Sequence, residues 1–490
     1  MVSYIPARDL RRRIKEDNDQ LVLDPATSDR IETAYRSIDW AGLSEAGFDK
    51  RGDYCFIYSY PPVRTLKPIT SEDIFRPSEW EPVRDRVSLY LHIPYCSGIC
   101  SYCYFAKVVD NGNSPIAKED YPDLLIRELE QKMARYNPNA VISNVHIGGG
   151  TPSILENHQM DKILKYLFSL NTAPDLEITV ECAPETVHDD LDKLKAMRDG
   201  GVNRISVGVE SLDDRVLKVM ARRHGSDMTL RSLENVRAAG FDNVNADLIY
   251  ALPAQTLASW VDTLNEIAKW QLESVTVYRL RLHPMKRISK LEAELYPSYE
   301  DGLKMQLAHS MLMQDAGYLR VTSQKYVSDR KKTQRQPEQK RGVSSAQLLS
   351  AGCGAYGFLN STFYWNTKSL GEWGARMRDG EIPVWMGRVL DKDEIMRKSF
   401  VLGVHTSGGI DRQAFHAKFG VDCMDQYAEE ISVAVRHGLL EVTDTAVRPT
   451  ELGYFFGDEL SVHFYSPLVK AELAEIGMKY GMFFDQDQYA

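Results

Sequence analysis

Residues 91–105 read Leu91-His92-Ile93-Pro94-Tyr95-Cys96-Ser97-Gly98-Ile99-Cys100-Ser101-Tyr102-Cys103-Tyr104-Phe105, a C-x3-C-x2-C pattern directly after an apolar, β-rich run. The chain's other cysteines, Cys55, Cys182, Cys353 and Cys423, are scattered. An odd total of seven in a long chain does not make a disulfide framework, and clustered cysteines point to metal or catalysis. A tight loop at a strand's C-terminal end can gather three thiolates on one side of an iron–sulfur cubane. A cubane has four irons, so three cysteines leave one iron open, as a catalytic cluster requires. The same logic separates catalytic from structural zinc. Three other readings compete: unligated core thiols, which Ser97, Gly98 and Ser101 make a poor fit; zinc with a distant fourth ligand such as His92; and a four-ligand cluster completed by Cys182.

Outward from this loop, residues 85–285 repeat one pattern, a β-rich run followed by a turn and a helical stretch. The runs are Val87–Pro94, Asn144–Gly150, Glu177–Pro184, Arg204–Glu210, Asn243–Pro253 and Ser274–Leu282. Helical spacing is expected over Tyr121–Arg135, Met160–Leu170, Asp189–Asp199, Met228–Ala239 and Leu257–Trp270. Six such units predict an α/β fold, a partial (β/α)6 barrel with helices outside and chemistry at the C-terminal strand ends. The expected organisation is a 1–85 N-terminal extension, an 86–345 barrel, a 346–384 connecting, substrate-facing segment, a 385–465 small, mostly helical, winged-helix-like domain and a 466–490 tail. Arg330–Arg341 is polar, carries six basic residues, and reads as a solvated loop or a flap over an anionic substrate.

A net charge of −10 and a pI near 5.7 argue against nucleic acid as a partner. No apolar stretch follows Arg11–Arg13, and no run reaches the roughly 20 residues of a membrane span. The expected location is cytoplasmic.

Further motifs end the predicted strands. Ile147-Gly148-Gly149-Gly150-Thr151-Pro152-Ser153 lets backbone approach a ligand closely and offers N–H and C=O groups to it. Glu181 places a carboxylate at the rim of the third strand, Glu210 ends the fourth, and Asp247 is read as ending the fifth. Arg222 suits a carboxylate as a bidentate donor. Tyr102 is an aromatic that could lie against a base or simply pack.

The cysteine loop with an aromatic before its last cysteine resembles the radical S-adenosylmethionine (SAM) signature. The stretch YLHIPYCSGICSYCYF resembles the group related to oxygen-independent coproporphyrinogen III oxidase, and the resemblance spans roughly residues 85–465. It implies a [4Fe–4S] cluster on Cys96, Cys100 and Cys103, two SAM molecules, a small-molecule substrate and an external donor of the flavodoxin or ferredoxin type. It also implies cofactor contacts from Tyr90, Tyr102, Gly149, Gly150, Thr151, Glu181, Glu210, Arg222 and Asp247. Relatives carry glutamine at the position of Glu210, where the porphyrinogen enzyme contacts a second SAM; this gives Glu210 a catalytic part in the expected reaction.

Cys103-Tyr104-Phe105 resembles both the haem chaperone-like members and the class C radical methylases. Tyr364-Trp365 is present, but no His-Asn pair precedes it to complete a haem-binding pattern. The long extension, Phe105 and Glu210 together imply a methylase that transfers a methyl or methylene carbon to an sp² carbon of a heteroaromatic natural product, with cyclopropanation as one outcome. The other implied activities are porphyrinogen- or haem-directed radical chemistry and haem carriage.

Overall fold

The computed structural model describes residues 22–50, 60–282, 286–291, 293–328 and 347–475. The Arg11–Arg13 segment, Cys55, the 330–341 loop and the end of the 466–490 tail lie outside the described residues.

Six strands run in the predicted places: β1 (Arg86–Ile93), β2 (Val141–Gly149), β3 (Thr172–Cys182), β4 (Arg204–Glu210), β5 (Val244–Tyr250) and β6 (Ser274–Arg279). Each pairs in parallel with the next. Helices α1 (Tyr121–Tyr136), α2 (Asn157–Ser169), α3 (Leu191–Asp199), α4 (Ser226–Ala238) and α5 (Leu257–Lys269) follow the first five in turn. Thr256 starts α5 as its cap, accepting a hydrogen bond from the Ser259 N–H.

The strands sort their side chains by a period of two. Val87, Leu89 and Leu91, then Val145 and Ile147, Ile178 and Val180, Ile205 and Val207, Val244 and Ala246 pack in one core with Leu125, Ile163, Leu233 and Leu264 of the helices. The alternate positions are polar and bonded to each other. Asn144 donates to Ser88 Oγ at 2.9 Å, Asn245 to Ser206 Oγ at 2.9 Å, and Ser274 to Asn245 Oδ1 at 2.8 Å. A barrel filled with hydrocarbon would not spend buried hydrogen bonds this way, so the inner face is built to meet a polar ligand.

The sheet is wider than six strands. Residues 346–384 were expected to connect domains, but they extend the sheet: β7 (Gln347–Ala351) lies parallel to β1, and β8 (Tyr356–Leu359), β9 (Thr362–Asn366) and β10 (Val384–Val389) continue antiparallel from it. The cause is a buried ionic knot on α1. Glu128 and Lys132 are both fully buried and paired at 2.7 Å. Glu128 accepts from Gly352 N at 2.8 Å, Asn366 Nδ2 at 2.6 Å and Trp373 Nε1 at 2.8 Å, while Lys132 donates to Ser350 O at 2.8 Å. This knot clamps β7 and β9 to the helix. Glu128→Ala removes the partner of the Lys132 ammonium and of three N–H donors, and should cost about 3–5 kcal/mol in denaturant unfolding. A change under about 1 kcal/mol would mean that water reaches the site.

The C-terminal part is mostly helical, with Lys392–Gly403, Arg412–Phe419 and Ala428–Arg436 beside a three-stranded sheet of Ile410–Asp411, Ala446–Pro449 and Leu440–Val442. Its core, including Phe400, Phe415, Tyr427 and Val447, also takes in Leu43, Phe48 and Tyr60 of the N-terminal extension. The described part of that extension therefore packs on the C-terminal domain through these residues and on the barrel core through Ile31 and Ile74. No described helix is long and apolar enough to cross a membrane.

Candidate active site

The cysteine loop leaves β1 at the C-terminal end of the barrel and is fixed from three sides. Gly150 N donates to Ile93 O at 2.7 Å and Thr151 N to Tyr95 O at 2.8 Å. A Cβ at Gly150 would stand 2.7 Å from Tyr95 O and 3.0 Å from Cys96 Sγ, so only glycine lets the two loops touch. On the second side, Ser101 N bonds Met220 O at 3.0 Å. On the third, Ser97 donates to Glu185 at 2.9 Å, and Glu185 also meets His224 at 3.4 Å. Burial works against the Glu185 charge, but His224 and Arg222 outweigh it and hold the carboxyl down to about 2. Sequence reasoning gave no role to Glu185 or to His224, which closes the Ala221-Arg222-Arg223-His224 stretch that holds Arg222.

Cys96 is buried, and burial pushes its thiol up to about 11. Cys100 Sγ lies 3.4 Å from Arg222 Nη1. That guanidinium also donates to Gly208 O at 2.8 Å, reaches Tyr102 Oη at 3.4 Å and pairs with Glu210 at 3.5 Å, while its buried Nε has no partner. The Tyr102 hydroxyl donates to Glu210 Oε1 at 3.0 Å. The expected contact of Tyr102 with a base is through its ring, and its hydroxyl belongs to this knot. Glu210 has φ +63°, the left-handed region that non-glycine residues rarely enter, at a break in the β4–β5 register. Nothing in the sequence marks that strain.

A second knot stands on the neighbouring strands β2 and β3. Glu181 receives His146 Nε2 at 2.7 Å and Gly149 N at 3.1 Å. Burial would raise its carboxyl, but the His146 and Gly149 hydrogen bonds outweigh this and lower it. Tyr90 stacks on the His146 ring at 5.9 Å and hydrogen-bonds His92 Nδ1 at 2.9 Å. His92 Nε2 meets Ala106 O at 2.8 Å, so both of its nitrogens are used and none is left for a metal. Cys182 is buried and its thiol is pushed up to about 12 by that burial. His92 therefore does not offer the fourth ligand that zinc would require.

Asp247 is corrected in position. β5 runs on to Tyr250, so Asp247 sits mid-strand, deeper in the barrel, accepting from Ser206 at 2.7 Å and Asn245 at 3.0 Å. Burial raises the Glu210 and Asp247 carboxyls, and the negative charge of Glu181 raises both further. The three interior carboxylates stand among two interior guanidiniums, Arg222 and Arg204, and the raised Glu210 and Asp247 carboxyls gain from a cationic ligand.

The comparisons agree with this arrangement. Residues 90–267 match the Radical SAM superfamily and residues 390–456 the HemN C-terminal domain. The barrel is thus similar to radical SAM proteins and the C-terminal part to the HemN C-terminal domain. Among solved structures, the radical SAM enzyme coproporphyrinogen III oxidase (HemN) from Escherichia coli superposes with a TM-score of 0.71 at 22% identity, covering 84% of this chain and 96% of that one. The heme chaperone HemW of Bacillus subtilis is 26% identical over 390 residues, 76% of this chain and 97% of HemW. The oxygen-independent coproporphyrinogen III oxidase of Salmonella typhimurium is 25% identical over 386 residues, 75% and 82% of the two chains.

The radical SAM family brings a [4Fe–4S] cluster and SAM as cofactors. The donor set fits them: three thiols on one loop without a fourth, beside a rim of carboxylates suited to a ligand bearing sulfonium and ammonium charges. The methylase expectation is overturned, because the relatives are named for haem and coproporphyrinogen. Its three supports carry no such chemistry here. Phe105 is 44% exposed, the described extension serves packing, and the Glu210 carboxylate is bonded to Tyr102 and Arg222.

Proposed function

We propose that this radical SAM enzyme acts on a tetrapyrrole, oxidising or remodelling a porphyrinogen- or haem-type macrocycle. The observation that carries the reading is the reach of the likeness. Relatives named for haem and coproporphyrinogen match about three quarters of the chain, and the match includes the C-terminal domain as well as the barrel.

Held at the loop, the cluster and SAM would supply one-electron radical chemistry to the substrate. The chain's part is to hold and exclude. Cys96, Cys100 and Cys103 supply the thiolates. Gly149, Gly150 and Thr151 present backbone groups, and Glu181 and Asp247 present acceptors to cationic or hydroxyl groups of the cofactor. Arg222, Glu210 and Tyr102 form a wall whose charges balance beside Cys100. An external one-electron donor of the flavodoxin or ferredoxin type completes the cycle.

The test is anaerobic incubation of reconstituted protein with SAM, dithionite and coproporphyrinogen III or haem. 5′-Deoxyadenosine formation should rise at least about tenfold with one of these macrocycles present. The likeness to HemW supports a second reading, haem carriage. A stoichiometric Soret shift with haem but no macrocycle-dependent 5′-deoxyadenosine favours it. No response to either macrocycle sinks both readings.

A further inference from the structure

Three lysines stand together at the barrel's C-terminal rim, outside both interior knots. Lys107 follows the cysteine loop and folds back on it, its Nζ donating to Cys103 O at 2.7 Å and Phe105 O at 3.3 Å. Lys286 opens the turn after β6, and Ile288 N of that turn bonds Ser101 O at 3.3 Å. Lys368 follows β9. Because β7 runs parallel to β1 and the next two strands alternate, β9 ends at the same rim as the barrel strands. The Lys368 stem passes Gly354, where an added Cβ would stand 3.8 Å from Lys368 Cγ and 2.3 Å from Ala106 Cβ. Lys368 Nζ lies 3.6 Å over the Trp365 ring.

These are costly charges to leave together. Among the described residues Lys107 meets backbone carbonyls and Lys368 a tryptophan ring rather than carboxylates, in a chain whose acidic residues outnumber its lysines and arginines 69 to 59. Burial, then Lys286 and Arg64, bring the Lys368 ammonium down to about 8; burial and Lys107 lower Lys286. Neither a backbone carbonyl nor a ring face carries a counter-charge, so like charges held this close gain when an anion joins them. Beside them Tyr104 and Phe105, 40% and 44% exposed, stack on each other at 4.8 Å. The rim thus offers an apolar aromatic pair bordered by cations.

We infer that Lys107, Lys286 and Lys368 bind carboxylate side chains of the substrate, the propionates of a tetrapyrrole, whose apolar ring rests near Tyr104 and Phe105. This rests on the tetrapyrrole reading above and adds to it the substrate's charged side chains and the residues that grip them. A charge-assisted hydrogen bond of this kind is worth roughly tenfold in affinity.

The test titrates coproporphyrin III and its tetramethyl ester into the anaerobic holoenzyme, followed at the Soret band. Wild type should bind the free acid at least about tenfold more tightly than the ester. Lys286→Gln with Lys368→Gln should weaken free-acid binding about 100-fold and erase the preference, while Lys368→Arg should keep it. Cluster absorbance confirms that each variant is folded. Equal binding of acid and ester by wild type, or no change in the double variant, overturns the lysine assignment and leaves the tetrapyrrole reading standing. Wild type binding neither probe removes the tetrapyrrole reading and this inference with it.

Discussion

Anaerobic reconstitution of the Cys96→Ala, Cys100→Ala or Cys103→Ala protein should leave bound iron and sulfide at background and lower 5′-deoxyadenosine formation by at least about 1000-fold, the loss of roughly 4 kcal/mol of transition-state stabilisation. The expectation is severe because nothing nearby can substitute. His92 has both ring nitrogens committed, and Cys182 is buried at the end of β3. Each cysteine is also held differently: Cys96 under Gly150, Cys100 against Arg222, and Cys103 through its N–H to Cys100 O at 3.3 Å. A vacated position therefore cannot be refilled by sliding the loop. Losing one sulfur from a partly buried site costs only about 1 kcal/mol of folding stability, so circular dichroism and melting should change little. A variant that keeps both its cluster and its cleavage activity would show that a fourth donor exists, and the open-iron reading would fall.

Much of this was legible in the sequence because it rests on local rules. The cysteine spacing, the glycines of residues 148–150 and the six β–α units are short-range patterns, and the structure bears out the partial barrel they predict. The alternation of apolar and polar residues in β1, β4 and β5 was also present in the sequence, and it distinguishes a ligand-lined barrel from a filled one. What was not legible depends on distant partners. β7 is a five-residue run whose place beside β1 is fixed by Glu128 and Lys132, two charged residues that periodicity assigns to a helix surface. The His146–Glu181 pair joins neighbouring strands and has no motif. The methylase expectation failed for a related reason. It leaned on Phe105, whose exposed side chain tells little about the chemistry inside, and on Glu210, whose bonded partners only the fold reveals.

Those partners make Arg222 the second site where a large effect is expected. Arg222→Leu should lower SAM cleavage at least about 100-fold and destabilise the protein by about 3–5 kcal/mol, since it leaves the Glu210 carboxylate buried without a counter-charge. The two losses have different origins, and a double variant separates them. Arg222→Leu with Glu210→Leu removes both charges, so a few kcal/mol of stability should return. Activity should not return, because the guanidinium that faces Cys100 Sγ at 3.4 Å is still missing. Glu210→Gln alone keeps an acceptor for Tyr102 and an uncharged neighbour for Arg222, and should cost less than Arg222→Leu in both measurements. If the double variant regains activity along with stability, Arg222 serves only to neutralise Glu210, and the wall beside Cys100 is structural. If stability returns without activity, the charge at Arg222 is needed where the cluster and SAM meet.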